Sequence, residues 1–389
     1  DMDADGDGGI VGWVNNQCLK ISTQVDGIKI AFNTSAQSMF SLKKNLTNIQ
    51  FDNIDTANTT SMAYMFQGCK SLTNMDLSMF VTKQVEAMSG MFAECNAFTS
   101  IDLSSFDTSN VEYMSSMFKS CINATEINVS NFNTAKVRNM GDMFNYCSKI
   151  ESLDVSSFDT SNVNTMGYMF FHCSALKNLD VSRFKTPKVT TFVGMFAEDG
   201  NLLSIDVSGF DTSNTINFGM MFYGCKNLTS LNVNNFVTSK ASDMSIMFGG
   251  CSGLTSIDVS SFDTSNVKNM SRMFESCRSL TSINVSSFDT SNVKDMNSMF
   301  EKCSFETIDV SNFNTSNVTN MQQMFYGCQK LKSLDLSNFD THCVTSICNM
   351  FNMCYALTSL DISSFDTSNI TNMNWTFSNL NKLKTLSLG

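Results

Sequence analysis

Three sets of residues in this chain have the types and the spacing that chemistry uses. The first is an acidic series, Asp76, Asp102, Asp154, Asp180, Asp206, Asp258, Asp309, Asp335 and Asp361, with Asn128, Asn232 and Asn284 at the intervening places of the same spacing. Carboxylates held in one row attract a hard cation or a cationic partner, and they repel one another. Ser stands two residues after every member of the row except Asn232. Either these hydroxyls and the interspersed Asn offset the repulsion, or calcium or a cationic partner lies along the row. Both readings make the row the largest regular polar surface and the expected binding face.

The second set is a series of thiols, Cys69, Cys95, Cys121, Cys147 and Cys173, then Cys225, Cys251, Cys277, Cys303, Cys328 and Cys354, with Asp199 at the place between. This spacing permits disulfides between neighbours, but five Cys on one side of Asp199 cannot all pair. A ladder of buried thiols is the reading preferred to a ladder of disulfides. No Cys-x-x-Cys occurs in the series, so it is not a zinc framework. His342, Cys343, Cys348 and Cys354 form a smaller cluster that could hold a metal, against which stand a Cys343 to Cys348 disulfide and simple drift in a turn. The third set, Asp1, Asp3, Asp5 and Asp7 around Gly6, is similar to the first half of a calcium loop. The acid expected at its twelfth position is missing, Gly12 or Val14 standing there, and an acidic linker is the other reading. Calcium is the only cofactor suggested. The remaining histidine, His172, sits in a turn with no evident partner, and no nucleophile motif, phosphate loop or lone acid pair occurs, so an enzyme is not expected.

What positions these residues is a 26-residue period. Met-Phe recurs from Met39 through Met65, Met91 and onward to Met299, then at Met324 and Met350, and Thr376-Phe377 closes the series. One step, Met299 to Met324, is a residue short, the loss falling at Ser304-Phe305-Glu306. In the unit from Phe262 to Ser287, Val267, Met270, Met273, Phe274 and Cys277 share one helical face, with Thr264, Ser265 and Asn266 placed to cap it. Leu280, Ile283 and Val285 alternate with polar residues as in a short strand. One such unit cannot bury its own apolar face, so the units must stack.

The strand half, Leu-x-x-Ile-x-Val-x-x-Phe, resembles a leucine-rich repeat with Phe where that family usually places Asn. The whole unit, with Phe-Asp-Thr-Ser-Asn-Val, Met-Phe-x-x-Cys and Leu-Thr-Ser-Ile-Asp-Val, is similar to the BspA-like surface-protein repeat of bacterial lipoproteins and cell-wall proteins, and the likeness runs from about Met39 to Leu388. The resemblance implies surface-exposed adhesion or binding and no shared catalytic residues. The expected fold is an α/β solenoid, a leucine-rich-repeat-like right-handed stack of strand, turn and short helix, with a parallel sheet on one face. Residues 1–38 would be an acidic segment and a capping hairpin, Ile21 to Val25 with Ile28 to Phe32. Residues 39–389 would be a solenoid of about 14 repeats.

Stacking turns each repeat position into a column. The Thr column, from Thr56 and Thr82 to Thr341 and Thr367, reads as turn capping, with a water-ordering array of the ice-binding kind as the alternative. Most of the 28 Met and 33 Phe then fall in core columns, and the single Pro187 reflects how few positions lie outside an element or fixed corner. A hydrophobic content of 42% with 16% charged residues excludes a disordered chain. The net charge of -11 argues against nucleic acid and anionic lipid. No run of about twenty apolar residues occurs, so no transmembrane segment is expected. Sequons such as Asn45 and Asn227 are no more frequent than chance. The chain ends on Leu386-Ser-Leu-Gly389 with no polar terminal unit, which suggests either a longer parent or an end that docks on another subunit. The expected function is binding or adhesion to a protein or glycan, secreted or at a cell surface, through the acidic strand face. The rival is a structural subunit that self-associates head to tail into a filament or surface layer.

Overall fold

The computed structural model describes residues 10–15, 17–23 and 29–388. The chain packs as two compact units, residues 1–188 and 189–389, and each is a stack of parallel β-solenoid turns. In the first, β1 (Ile10–Asn15) pairs antiparallel with β2 (Cys18–Thr23), and β2 continues in parallel to β4 (Asn48–Phe51) and β6 (Asn74–Met75). A second ribbon joins β3 (Ile30–Ala31) to β5 (Ile54–Asp55), also in parallel. In the second unit β7 (Ser359–Ile362) and β8 (Thr385–Leu388) form a parallel pair.

The hairpin of this region therefore lies one element earlier than its sequence suggested. Cys18–Thr23 pairs with the strand before it, Asn15 opposing Cys18, and Gln17 just before Cys18 has a φ of 64°. Ile30–Ala31 pairs instead with the next turn of the stack. The predicted Asp26-Gly27 turn lies outside the described residues.

The expected short helices are absent: no helix occurs among the described residues. The segment from Met270 to Cys277 shows what replaces them. The N–H groups of Met270, Arg272, Phe274 and Ser276 donate to carbonyls of the following turn, those of Asp295, Asn297, Met299 and Glu301, at 2.7 to 3.1 Å. The N–H groups between them, of Met273, Glu275 and Cys277, close tight turns on residues three back. Arg272 and Ser276 have φ of 57°, a left-handed conformation that interrupts any right-handed helix. Asn269 reinforces the turn, its Oδ1 accepting the Ser271 N–H at 3.0 Å, a local bond that competes with helix formation. Packed helices stand 8–10 Å apart, whereas paired strands stand about 4.8 Å apart. A coil paired to its neighbours on one side therefore cannot accommodate helices on the other without splaying, and the turn ladder avoids this.

Pairing is most continuous on this Met-Phe side. Parallel bridges run from Ser35 through Ser61, Ala87, Tyr113 and Asn139 to Thr165 in the first unit, and from Thr191 through Asn217, Asp243, Asn269, Asp295, Asn320 and Ser346 to Asn372 in the second. Among the described residues the predicted sheet of the other side forms regular strands only at β2, β4 and β6 and at β7 and β8. Elsewhere that segment reaches its neighbour mainly through its first residues, as in Thr125 N–H to the Thr99 carbonyl at 2.9 Å.

The inward columns fill the coil. Within each unit the Phe rings of the Met-Phe pairs form a continuous stack, with centroids 5.5 Å apart at Phe40 and Phe66 and 6.0 Å at Phe222 and Phe248, the rings nearly parallel. The Thr column is buried from Thr56 to Thr341, with only its last member, Thr367, exposed, which removes it as a surface water-ordering array. Nor does its hydroxyl merely cap its own turn. Thr315 Oγ1 donates to the Asp340 carbonyl and accepts the Asp340 N–H, both at 2.8 Å, clamping consecutive turns. Thr108 does the same with Asn133, and Thr56 with Val81. Thr315→Val keeps the shape and strands two backbone groups, so it is expected to cost about 1–3 kcal/mol in urea unfolding. A loss under about 0.3 kcal/mol would show that the clamp contributes nothing net.

Candidate functional site

Along the strand side, alternation sends apolar residues inward and the acidic row outward: Ile257 and Val259 are buried and Asp258 between them is exposed. Asp76, Asp102, Asp154, Asp180, Asp206, Asp258, Asp309, Asp335 and Asp361 are all exposed, and each Oδ1 accepts the N–H of the Ser two residues on, at 2.9 to 3.0 Å. These bonds have an electrostatic consequence. The Ser hydroxyl first, then its N–H, holds the carboxyls of Asp76, Asp154, Asp180, Asp258 and Asp309 below the usual range. At Asp102, Asp335 and Asp361 the N–H is the larger cause. The next Asp in the row pushes the other way, as Asp102 does on Asp76 and Asp309 on Asp335, and is outweighed.

The Asn members separate structure from charge. Asn128, Asn232 and Asn284 make the same bond, to Ser130, Asn234 and Ser286, at 3.0 to 3.1 Å. The corner thus requires an acceptor, and the negative charge is additional to that requirement. Apart from Asp206, no salt bridge engages any carboxylate of the row among the described residues. Between Asp335 and Asp361 the surface opens into a cleft of about 350 Å³, with Ser337, Ser363 and Ser364 on its walls.

A second acidic row escaped the sequence reading. Asp107, Asp159, Asp211, Asp263, Asp289, Asp340 and Asp366 each follow the corner Phe, are exposed, and accept the N–H two residues on at 2.9 to 3.1 Å. Its signal in the sequence is the Asp of Phe-Asp-Thr-Ser-Asn-Val, which the Thr-Ser-Asn capping pattern beside it obscures. The two rows lie five residues apart in each repeat that carries both, as with Asp258 and Asp263.

The other candidates dissolve or fall outside the described region. All fourteen cysteines are free thiols, Cys343 and Cys348 included. In the column each Sγ–H points at the carbonyl of the Phe 28 or 29 residues earlier, as in Cys277 to Phe248 at 3.2 Å. Burial pushes ten of these thiols up, to about 12 at Cys121, Cys251 and Cys354. His342 does not join a metal site: its Nδ1 lies 2.7 Å from Asp340 Oδ1, while Cys354 faces the Phe325 carbonyl. His172 rests against the Tyr146 ring, centroids 4.7 Å apart. Among the described residues no group of three or more His, Cys, Asp or Glu is placed to hold a metal. Asp1, Asp3, Asp5 and Asp7 lie outside those residues. No helix there is long and apolar enough to cross a membrane.

Comparison with known proteins adds a family. The model described as "Mycoplasma protein of unknown function, DUF285" matches residues 34–150, 118–230, 198–309 and 302–387. No curated protein matches. Among solved structures, a leucine-rich repeat protein from Bacteroides ovatus is 16% identical, with 94% of this chain and 97% of that one covered and a TM-score of 0.48. One from Eubacterium ventriosum is also 16% identical, with coverages of 95% and 92% and a TM-score of 0.40. The functional domain of InlJ from Listeria monocytogenes, described as including a cysteine ladder, is 16% identical, with coverages of 90% and 64% and a TM-score of 0.34.

Proposed function

The chain belongs to the DUF285 family, its 26-residue unit being of the BspA-like leucine-rich type, and from that premise we propose that it is a non-enzymatic binding protein of a cell surface. The face that binds is the double acidic row, and the partner is a protein segment rich in Lys or Arg. One observation carries this reading: exposed carboxylates, lowered further below the usual range by their Ser bonds, flank a cleft between Asp335 and Asp361. A row of fixed negative charge steers and selects a cationic partner. Adhesion fits the same face, because a repeated site engages a repeated partner with avidity. Repetition also works against an enzyme, since each column offers one group many times and a catalytic site needs unlike groups in one pocket.

The test uses Asn, which already occupies three places of the row and keeps the corner bond. In the triple variant Asp309→Asn, Asp335→Asn and Asp361→Asn, binding of an octalysine peptide at low salt is expected to weaken about tenfold while the unfolding midpoint stays nearly unchanged. Equal binding by the variant and the parent would remove the acidic face from the account.

A further inference from the structure

The period fails once, through the loss of one residue between Cys303 and Phe305. In the neighbouring repeats the Leu three residues after Cys closes a turn on the Cys carbonyl: Leu254 on Cys251, Leu280 on Cys277 and Leu331 on Cys328, each at 3.1 Å. Phe305 takes the Leu place one residue early. It is fully buried and meets Phe300 edge-on at 5.8 Å, and the shortened turn shows no counterpart of that bond among the described residues. The absent residue is the one that would stand between Ser279 and Lys330 in the stack.

A cavity of about 240 Å³ opens at this place, lined by Arg278, Lys302, Ser304, Tyr326, Gln329 and Lys330 among others. Gly327, with a φ of 68°, enlarges it: a Cβ there would stand 3.0 Å from Lys302 Cγ. Lys302 lies instead across the opening, its Nζ 5.3 Å from the centre of the Tyr326 ring and 2.6 Å from Glu301 Oε1. Glu301 therefore answers the charge of Lys302, and Lys332 holds Glu306 at 2.6 Å. Arg278 and Lys330 stand in no salt bridge among the described residues, although Lys330 adds, as the smallest cause, to the lowering of the Glu306 carboxyl. In a chain of net charge -11, the lining of this cavity carries three cationic side chains, Arg278, Lys302 and Lys330, and no acidic one.

We propose that the cavity binds a tetrahedral oxyanion, a phosphate or sulfate group, either free or as an ester on a sugar. Arg278 offers a planar fork and Lys330 a mobile point charge, the two cationic donors that such oxygens accept. Ser304, Tyr326 and Gln329 supply neutral donors beside them. Small-molecule pockets run from roughly 300 Å³ upward, so this one fits a single group better than a whole ligand. Its charge preference is opposite to that of the acidic rows, and it stands or falls independently of them.

Isothermal titration of the full chain at low ionic strength with sodium phosphate, sodium sulfate and glucose 6-phosphate tests the site. Saturable binding at one site per chain is expected, weakened at least tenfold in Arg278→Gln with Lys330→Gln. The control, Lys268→Gln with Lys294→Gln, removes two positive charges elsewhere and is expected to bind as the parent does. Arg278 and Lys330 are exposed, so folding should survive, and Arg278→Gln alone repeats the test if the double variant fails. Tighter binding of glucose 6-phosphate than of phosphate supports the sugar ester, and equal binding supports the free anion. Absence of saturable binding in the parent, or an equal loss in the control, overturns the proposal. Unfolding temperature is the wrong readout, because sulfate and phosphate stabilise folded chains without a site.

Discussion

Between about pH 9 and 12 the protein is expected to lose its fold steeply, and the thiol column is the cause. Burial raises ten of its cysteines, three of them to about 12, while an unfolded thiol titrates near 8.5. Above that value the unfolded chain releases protons that the folded chain retains, so stability falls as pH rises. The protection is complete below about 8.5 and is lost progressively up to the folded values. Each thiol contributes about 1.4 kcal/mol per pH unit in that window, so the six in residues 189–389 contribute about 8 kcal/mol per unit together. A typical domain has only about 5–15 kcal/mol to lose. Urea unfolding under reducing conditions at pH 7, 8, 9 and 10 measures the slope. Cys277→Ala with Cys303→Ala should lower starting stability through lost packing yet flatten the alkaline slope by about a third. Constant stability from pH 8 to 10 would contradict the buried ladder.

Phe248→Ala is expected to be among the most damaging single substitutions. The ring is fully buried, with Phe222 6.0 Å away on one side and Phe274 5.6 Å away on the other, at interplanar angles of 2° and 15°. Removing a buried Phe costs about 3–5 kcal/mol, and two stacked contacts place this one toward the upper end. Phe248→Leu retains much of the volume and should cost less than half as much. Leu388→Ala, at a side chain 61% exposed, should change stability by under about 0.5 kcal/mol. Comparable losses at Leu388 and Phe248 would mean that the Phe stack carries no special share of the core.

The period, the inward columns and the first acidic row could be read from the chain because each is a recurrence of residue type. The helix could not be excluded that way. Val267, Met270, Met273, Phe274 and Cys277 face inward whether the backbone coils as a helix or folds as a ladder of turns, so an apolar stripe does not separate the two. What separates them is the left-handed conformation just before Met-Phe and just before Cys. A trace of it exists in the sequence: Gly68, Gly224, Gly250 and Gly327 occupy the same place as Ser276, all with positive φ. Glycine recurring inside an apparent helix marks a backbone that a helix does not permit. The hairpin misplacement has a simpler origin, since Asp26-Gly27 is a strong turn signal and nothing local shows that β2 is shared with an earlier strand. The acidic row and the Ser hydroxyls that accompany it were recognisable by spacing, but the Ser N–H bonds, which also hold the carboxyls below the usual range, required the corner geometry.

The clamp and thiol bonds that join the turns reach 24 to 29 residues along the chain, one turn to the next. Relative contact order is therefore only about 0.07 for a chain of this length, in the range of small helical bundles, and it does not grow as turns are added. Gain or loss of a whole 26-residue block by recombination preserves every partner relation in the rest, whereas a single-residue slip, as at Phe305, must be absorbed within one turn. Copy number is the dimension along which such a molecule can vary cheaply, and so its reach can change between relatives while the surface chemistry of each turn stays fixed.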